Sequence, residues 1–177
     1  MGTTDEVRAE VHAQMRLLRE RAPEVRGSIA CSVDGLTIAR DPEAAPDARG
    51  SGDERTGDEH AADTDLAERS AALSSALLAL SRRMITMIGY GGFEETLITG
   101  TEGYAACYTA GPSVVLTVLA GPGANLGLLR LEGRKTAEKV AAIASRAPLG
   151  AAPPIAHHAN PSNGGRTWPE STSLSRR

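Results

Sequence analysis

The spacing of apolar residues divides the chain into helical and extended segments. Apolar positions at helical spacing predict a first helix over residues 4–21, which Pro23 ends. Residues 25–33 and 36–39 have the pattern of strands, and Asp34-Gly35 between them is typical of a two-residue hairpin turn. Strict alternation would place one set of residues on a single face of the first strand: Val25, Gly27, Ile29, Cys31 and Val33.

Residues 65–88 carry the strongest helical pattern, with two apolar stripes. The first keeps heptad spacing and consists of Leu66, Leu73, Leu77, Leu80, Met84 and Met87. The second runs through Ala71, Leu78 and Ile85. A helix that is apolar on two sides should be covered on two sides. One cover can be the sheet of the same domain, and the pattern leaves two candidates for the other, a second subunit or the N-terminal helix.

Three short extended segments follow the long helix, at residues 94–99, 104–109 and 114–119. The glycine-containing connections between them are short, so neighbouring strands should be antiparallel. A Gly-Pro-Gly break then leads into a last helix over 125–145. Gly133 lies inside that helix at a cost of about 1 kcal/mol against Ala, which indicates close packing at this position.

The elements follow in the order α-β-β-α-β-β-β-α, and five antiparallel strands with stacked helices predict an α+β sandwich. We expect one domain over residues 4–146. Residues 40–64 are acidic and contain no bulky apolar side chain, which predicts a flexible insertion that cannot offset its ordering entropy. An acidic docking site is the alternative for this segment. Residues 147–177 are rich in Pro, Ser, Gly and Arg and are expected to form a disordered tail.

Composition and charge disfavour several kinds of partner. The chain has 177 residues, a formal net charge of −3 and 3% aromatic residues, so we expect no nucleic-acid partner. Cys31 and Cys107 lie in separate extended segments and are expected to be buried free thiols. The charged N-terminus is unlike a signal peptide and no apolar run reaches bilayer length, so a cytoplasmic location is predicted. Heavy use of Ala, Gly and Arg is typical of a high-GC bacterial genome.

The turns carry no recognisable catalytic chemistry. The glycines of residues 121–127 follow a strand and open a helix, but their spacing differs from the dinucleotide fingerprint. Arg134 stands where a phosphate-binding loop would need lysine, and Glu94-Glu95 has no acidic partner at recognisable spacing. The histidines are scattered over the chain as His12, His60, His157 and His158. We therefore predict no catalytic, cofactor or metal site, and a protein that is not an enzyme and works through its surfaces.

Several loose motifs occur in a characteristic order between residues 25 and 144. They are Val25-Arg26-Gly27-Ser28, Ser32-Val33-Asp34-Gly35-Leu36, the long Ala/Leu helix, Leu116-Thr117-Val118-Leu119-Ala120 and Ala124-Asn125-Leu126-Gly127-Leu128. In this order and spacing they resemble the bacterial Roadblock proteins, relatives of the Roadblock dynein light chains. The acidic insertion and the long tail depart from the family pattern.

The resemblance implies a Roadblock/profilin-like sandwich, with the long helix on one face of the sheet and the terminal helices on the other. It also implies a homodimer formed through the long helix and the third strand. The interface residues would then be Leu73, Leu77, Leu80, Met84, Thr96 and Ile98.

Bacterial members of this family commonly act beside a Ras-like small GTPase, as regulators or scaffolds. Some are encoded with a membrane protein that resembles a sensor kinase, and such a partner would recruit the protein to the membrane. The outward arginines of the long helix are the candidate partner contacts: Arg69, Arg82 and Arg83. The leading hypothesis is a non-enzymatic, homodimeric regulator of a small GTPase. The alternative is a small-ligand or signal-input domain that acts without a GTPase, since sandwiches of this size can hold a pocket.

Overall fold

A computed structural model of the chain describes residues 4–41 and 57–146, without the side chains of residues 57–64. The predicted tail lies outside these residues, as does the middle of the predicted acidic insertion. The described helices are α1 (Thr4–Arg21), α2 (Gly57–Met87) and α3 (Leu126–Ala144). The described strands are β1 (Val25–Ser32), β2 (Thr37–Asp41), β3 (Glu95–Gly100), β4 (Gly103–Ala110) and β5 (Val114–Ala120).

The five strands form one antiparallel sheet in the order β2-β1-β5-β4-β3. The predicted α+β class, the order of elements and the antiparallel pairing are therefore confirmed. Within the described residues, β2 and β3 are the two edges of the sheet. Each edge strand presents a row of backbone groups that no neighbouring strand pairs.

Helices cover both faces of the sheet. α1 and α3 pack on one face, around a core that includes Met15, Leu116 and Val140. α2 packs on the other face, where a smaller cluster joins Ile29 of β1 to Leu78 of the helix. The implied placement of the helices is thus confirmed. The N-terminal helix as a second cover for α2 is wrong, because α1 lies on the opposite side of the sheet.

α2 runs across the strands. Cys31 Sγ in β1 donates to the carbonyl oxygen of Ala71 at 3.5 Å, and Thr96 Oγ1 in β3 donates to Ser81 Oγ at 2.9 Å. A helix rises about 15 Å between these two contacts, and the strand spacings from β1 to β3 amount to about 14 Å. α2 therefore crosses the strands at a large angle. The part of α2 after Ser81 extends beyond the edge strand β3.

The predicted bounds of the acidic insertion are wrong at both ends. β2 continues through Asp41, and α2 begins at Gly57 rather than at Asp65. Asp41 is 3% exposed, and Arg19 Nε of α1 lies 3.2 Å from its carboxylate. Adding residues to an existing helix needs no new nucleation, so polar turns can extend a helix beyond its apolar pattern. Residues 42–56 of the predicted insertion lie outside the described part of the chain.

β1 departs from the strict alternation that its sequence predicts. Its pairing with β5 shifts between Val25 and Gly27. Val25 therefore packs into the α1/α3 core, whereas Ile29 and Cys31 face α2. The prediction that Val25 shares one face of the strand with Ile29 and Cys31 is wrong.

The connection from β1 to β2 is longer than the predicted two-residue turn. Ser32 N–H donates to the carbonyl oxygen of Leu36 at 2.8 Å, and Gly35 N–H donates to that of Ser32 at 2.9 Å. Gly35 has a φ of 85°, the left-handed conformation with which three-residue hairpin loops commonly end.

Candidate interaction surface

The two apolar stripes of α2 have different surroundings. The stripe that faces the sheet is buried and contains Ala67, Ala71, Ser74 and Leu78. The heptad stripe points away from this contact, and we call its six residues the outer stripe: Leu66, Leu73, Leu77, Leu80, Met84 and Met87. Leu77 is half-buried, and the other five are between 55% and 77% exposed. Monomeric proteins rarely leave so many large apolar side chains together in water, so the outer stripe is a candidate interaction surface.

A row of apolar residues on the sheet lies beside the outer stripe. Leu119 in β5 is in register with Ala105 in β4, and Ala105 with Ile98 in β3. By strand alternation all three lie on the face that carries α2. Leu119 and Ala105 are half-buried, and Ile98 is 45% exposed. We call these three residues the open row, because α2 crosses the sheet on one side of them and leaves them incompletely covered.

The edge strand β3 is fixed at its start by an ion-pair network with α3. Arg130 Nε lies 2.6 Å from Glu95 Oε1, and Arg134 Nε lies 3.1 Å from Glu95 Oε2. Arg134 also reaches Glu94 at 2.9 Å. The Glu95 side chain is 12% exposed and that of Glu94 is 71% exposed. The network therefore centres on Glu95 and ties β3 to α3.

An open cleft lies at this corner, between the end of α2, β3 and α3. Its lining residues are Ile85, Tyr90, Gly92, Phe93, Glu94, Glu95, Arg130 and Arg134. Small-molecule sites usually enclose most of the ligand. This cleft differs from such a site because it is open to solvent and its charged groups already pair with one another. Beneath the network, burial raises the pKa of Tyr108 to about 12, and the charge of Glu95 acts in the same direction.

The end of α2 is rigidly capped and carries exposed apolar side chains. Tyr90 N–H donates to the carbonyl oxygen of Ile85, and Gly89 N–H donates to that of Thr86, both at 3.2 Å. With Gly89 at a φ of 75°, these bonds form a Schellman motif. Beyond the cap, Tyr90 is 79% exposed.

The three candidate arginines differ in their surroundings. Arg69 pairs with Asp65 through two contacts, at 2.8 and 3.0 Å, on the exposed side of α2. Arg82 and Arg83 are exposed near the end of the helix. At 100° per residue, Arg69 and Arg83 lie nearer to the outer stripe than Arg82 does.

The chemical groups that could support other functions are few in the described residues. There, no group of three or more His, Cys, Asp or Glu residues could hold a metal ion. Cys31 and Cys107 are buried free thiols, as predicted. Burial raises the pKa of Cys31 to about 12 and also raises the pKa of Cys107, so both thiols stay protonated and unreactive. No described helix has the length and hydropathy that a membrane span requires.

The structure brings the predicted interface residues to one side of the molecule. Leu73, Leu80, Met84 and Ile98 are exposed there, while Leu77 and Thr96 are half-buried. Sequence reasoning identified Ile98 of the open row but missed Ala105, Leu119 and Tyr90. The row depends on strand register, which a single sequence leaves undetermined. A glycine after the last residue of a periodic helix pattern does predict a cap, and it would have placed Tyr90 at an exposed helix end.

An α+β sandwich with an apolar helix face exposed beside a free sheet edge is typical of a protein that assembles with others. Residues 56–120 match the sequence profile of the Roadblock/LC7 domain. The uncharacterized protein MJ1340 of Methanocaldococcus jannaschii is 30% identical over 119 residues, which cover 67% of this chain and 87% of that protein.

Solved structures of other proteins share the fold. The Roadblock/LC7 domain from Streptomyces avermitilis has a TM-score of 0.58 and 25% identity, covering 73% of this chain and 92% of that one. The gliding protein MglB from Thermus thermophilus has a TM-score of 0.60 and 19% identity, covering 83% of this chain and 95% of that one. The chain belongs to the Roadblock/LC7 family.

Proposed function

We propose that the protein is a non-enzymatic, homodimeric adaptor that regulates a Ras-like small GTPase in bacterial signalling. The observation that supports this most directly is the outer stripe of α2, five of whose residues are large, apolar and more than half exposed. Apolar exposure of this extent on one helix face is typical of a surface that another protein covers. We further propose that the protein acts in the cytoplasm and reaches the membrane only through a partner.

Self-association is the first part of the proposal. The outer stripe, the open row and the free edge of β3 lie on the same side of the molecule. A two-fold dimer uses the same patch on both copies, and edge strands commonly pair to remove their unpaired backbone groups. A fold relative described as MglB with tetrameric arrangement is consistent with assembly in proteins of this fold.

A GTPase partner is the second part, and it rests on membership in the Roadblock/LC7 family. The resemblance noted for the sequence implies a Ras-like GTPase beside bacterial members. An adaptor changes the GTPase by binding one nucleotide state more tightly than the other, and this needs no residue donated to the reaction. Arg82 and Arg83, exposed near the end of α2, are the basic side chains that we assign to this contact.

The test is titration calorimetry with a small GTPase encoded beside this protein, loaded with GDP or with a non-hydrolysable GTP analogue. We expect tighter binding of one state, and weaker binding by an Arg82→Gln/Arg83→Gln double variant. Lys139→Gln, which removes an exposed positive charge from α3 on the opposite face, is the matched control and should bind normally. Equal affinity for both nucleotide states would reduce the role to a passive scaffold. Absence of binding to either state at tens of micromolar would favour the alternative, a ligand or signal-input domain.

A further inference from the structure

The turn between β1 and β2 packs against α2 and carries exposed apolar side chains. A methyl group placed on Gly35 would lie 3.0 Å from Cα of Ala72 and 3.1 Å from Oγ of Ser75, so the turn and the helix are in direct contact. Val33 and Leu36, on either side of Gly35 along the chain, are 40% and 57% exposed. The turn therefore holds two uncovered aliphatic side chains beside the helix.

The side of α2 that meets this turn differs from the side that carries the outer stripe. It is formed by Ala72, Ser75 and Ala79, and both alanines are exposed. At 100° per residue it is about 130° away from the outer stripe around the helix axis. A protein that covers the outer stripe therefore leaves this side free. We call the combined surface the hairpin flank, which consists of Val33, Leu36, Ala72, Ser75 and Ala79.

Two acidic residues border the hairpin flank. Asp34 belongs to the turn itself, and Glu68 lies one helical turn before Ala72 on the same side of α2. Both are exposed. An apolar surface with a negative border favours a segment that is apolar at its centre and positively charged around it.

The same chain contains a segment of this chemistry. Residues 166–177 carry three arginines against one glutamate and include Trp168, the single tryptophan of the sequence. They lie outside the described part of the chain. Tryptophan is enriched among the residues that anchor interfaces, because its large side chain fills apolar pockets. The small side chains of α2 on the hairpin flank leave room for such a ring.

The chain leaves α3 close to the hairpin flank. A methyl group placed on Gly111 would lie 3.3 Å from Cβ of Ala141, so the last turns of α3 lie against the turn between β4 and β5. In that turn the carbonyl oxygen of Ser113 accepts from Val33 N–H at 3.0 Å. Adding the helix rise from Ala141 to Arg146 places the exit of the chain within about 25 Å of the hairpin flank.

The length of the connection suits this distance. Trp168 follows Arg146 by about 22 residues, and a flexible linker of that length has a root-mean-square end-to-end distance of about 25 Å. The effective concentration of a tethered segment is highest when its linker length matches the distance to be spanned. A contact that would be weak between separate molecules can therefore form within one chain.

We infer that residues 166–177 dock onto the hairpin flank of their own chain, with Trp168 packed between Val33 and Leu36. The arginines of the segment then lie beside the two acidic residues that border the surface. This contact goes beyond the proposed function and stands without it, because the hairpin flank is separate from the outer stripe and the open row.

The fluorescence of Trp168 tests the contact directly, since no other tryptophan contributes. Acrylamide should quench the full-length wild type weakly, and Leu36→Ser should raise the quenching constant several-fold, towards that of the unfolded chain. Leu36 is exposed in the described structure, so the variant should fold, which circular dichroism checks. Leu131→Ser, at an exposed position of α3 on the other face of the sheet, is the matched control and should quench like wild type.

A mixing experiment identifies the chain that provides the surface. Wild type is allowed to exchange with an excess of a chain that carries both Leu36→Ser and Trp168→Phe and therefore has no tryptophan emission. Docking within one chain keeps Trp168 protected in this mixture. Loss of the protection would mean that the segment docks onto a second copy, and would overturn the assignment. Equal quenching of wild type and Leu36→Ser, whether weak or strong, would overturn the docking and leave self-association and the GTPase partner untouched.

Discussion

Gly133 in α3 packs directly against the ring of Tyr108 in β4. A methyl group placed on Gly133 would lie 2.6 Å from two ring carbons and 2.7 Å from the hydroxyl oxygen of Tyr108. Tyr108 is 1% exposed, and its hydroxyl donates to the carbonyl oxygen of Leu129 at 3.4 Å. The ring therefore cannot move away without breaking contacts in the core, and the close packing predicted for Gly133 is confirmed.

Gly133→Ala is expected to destabilise the protein, although alanine is the better helix former by about 1 kcal/mol. Forcing a side chain into a packed core costs about 1–3 kcal/mol, and here that cost should exceed the gain. Chemical denaturation measures the difference. The control is Ala142→Gly at an exposed position of α3, which reports helix propensity without a packing change. A Gly133→Ala variant as stable as wild type would contradict the contact.

Glu95→Ala is expected to lower the melting temperature more than Glu94→Ala. Both residues belong to the ion-pair network at the start of β3. The Glu95 side chain pairs with two arginines and is nearly buried, whereas the Glu94 side chain pairs with one and is exposed. Removing Glu95 leaves the Arg130 and Arg134 side chains without their central partner. Amide exchange in β3 should become faster in the Glu95 variant. Equal effects of the two substitutions would mean that the network does not hold the edge strand.

Glu132 should make the stability depend on pH in the acidic range. A hydrogen bond from Lys135 at 2.9 Å lowers the pKa of this buried carboxyl, and Arg21 adds to the effect. A carboxyl with a lowered folded-state pKa stabilises the fold above its unfolded value of about 4.3 and loses this contribution as pH falls through the folded-state value. Glu132→Gln should therefore flatten the fall in stability as pH drops below the unfolded value of about 4.3. Glu138→Gln, at an exposed position of α3, should leave the slope unchanged, and identical slopes for wild type and Glu132→Gln would refute the assignment.

Residues 42–56 should be dispensable for folding. They contain no bulky apolar residue, so they have little apolar surface to bury in a core. These residues join the end of β2 to the start of α2. Replacing them with a Gly/Ser linker of equal length should change the melting temperature little. A matched replacement of residues 66–73, which carry part of α2, should abolish cooperative unfolding. Loss of cooperativity in the first variant would show that the segment contributes to the core.

Much of the fold could be predicted because local patterns and tertiary packing agree. α1 has its predicted bounds, and Asn125 caps α3 by accepting from Leu128 N–H at 3.1 Å. The errors arise where packing partners decide. The shift between Val25 and Gly27 reverses a face that alternation alone would fix. Asp41 belongs to a segment whose composition is typical of a loop, but its side chain lies buried beside Arg19.

The candidate surface could be predicted only in part from the sequence. The heptad pattern identifies the outer stripe, but two apolar stripes on one helix do not reveal which of them meets the sheet. The contacts of Ala71 and Ser81 with the strands resolve this. The open row joins residues distant in sequence and follows only from the register of three strands.

Self-association through the outer stripe is the central claim, and sedimentation velocity at micromolar concentration tests it most directly. We predict that wild type sediments as a dimer of the 18.4 kDa chain. Leu80→Arg should yield a folded monomer, because Leu80 is 68% exposed in the single chain and a charge costs little there until a second copy buries it. Leu131→Arg, at the exposed position on α3, should remain a dimer. A wild type that stays monomeric, or a Leu80→Arg variant that stays a stable dimer, would contradict the account.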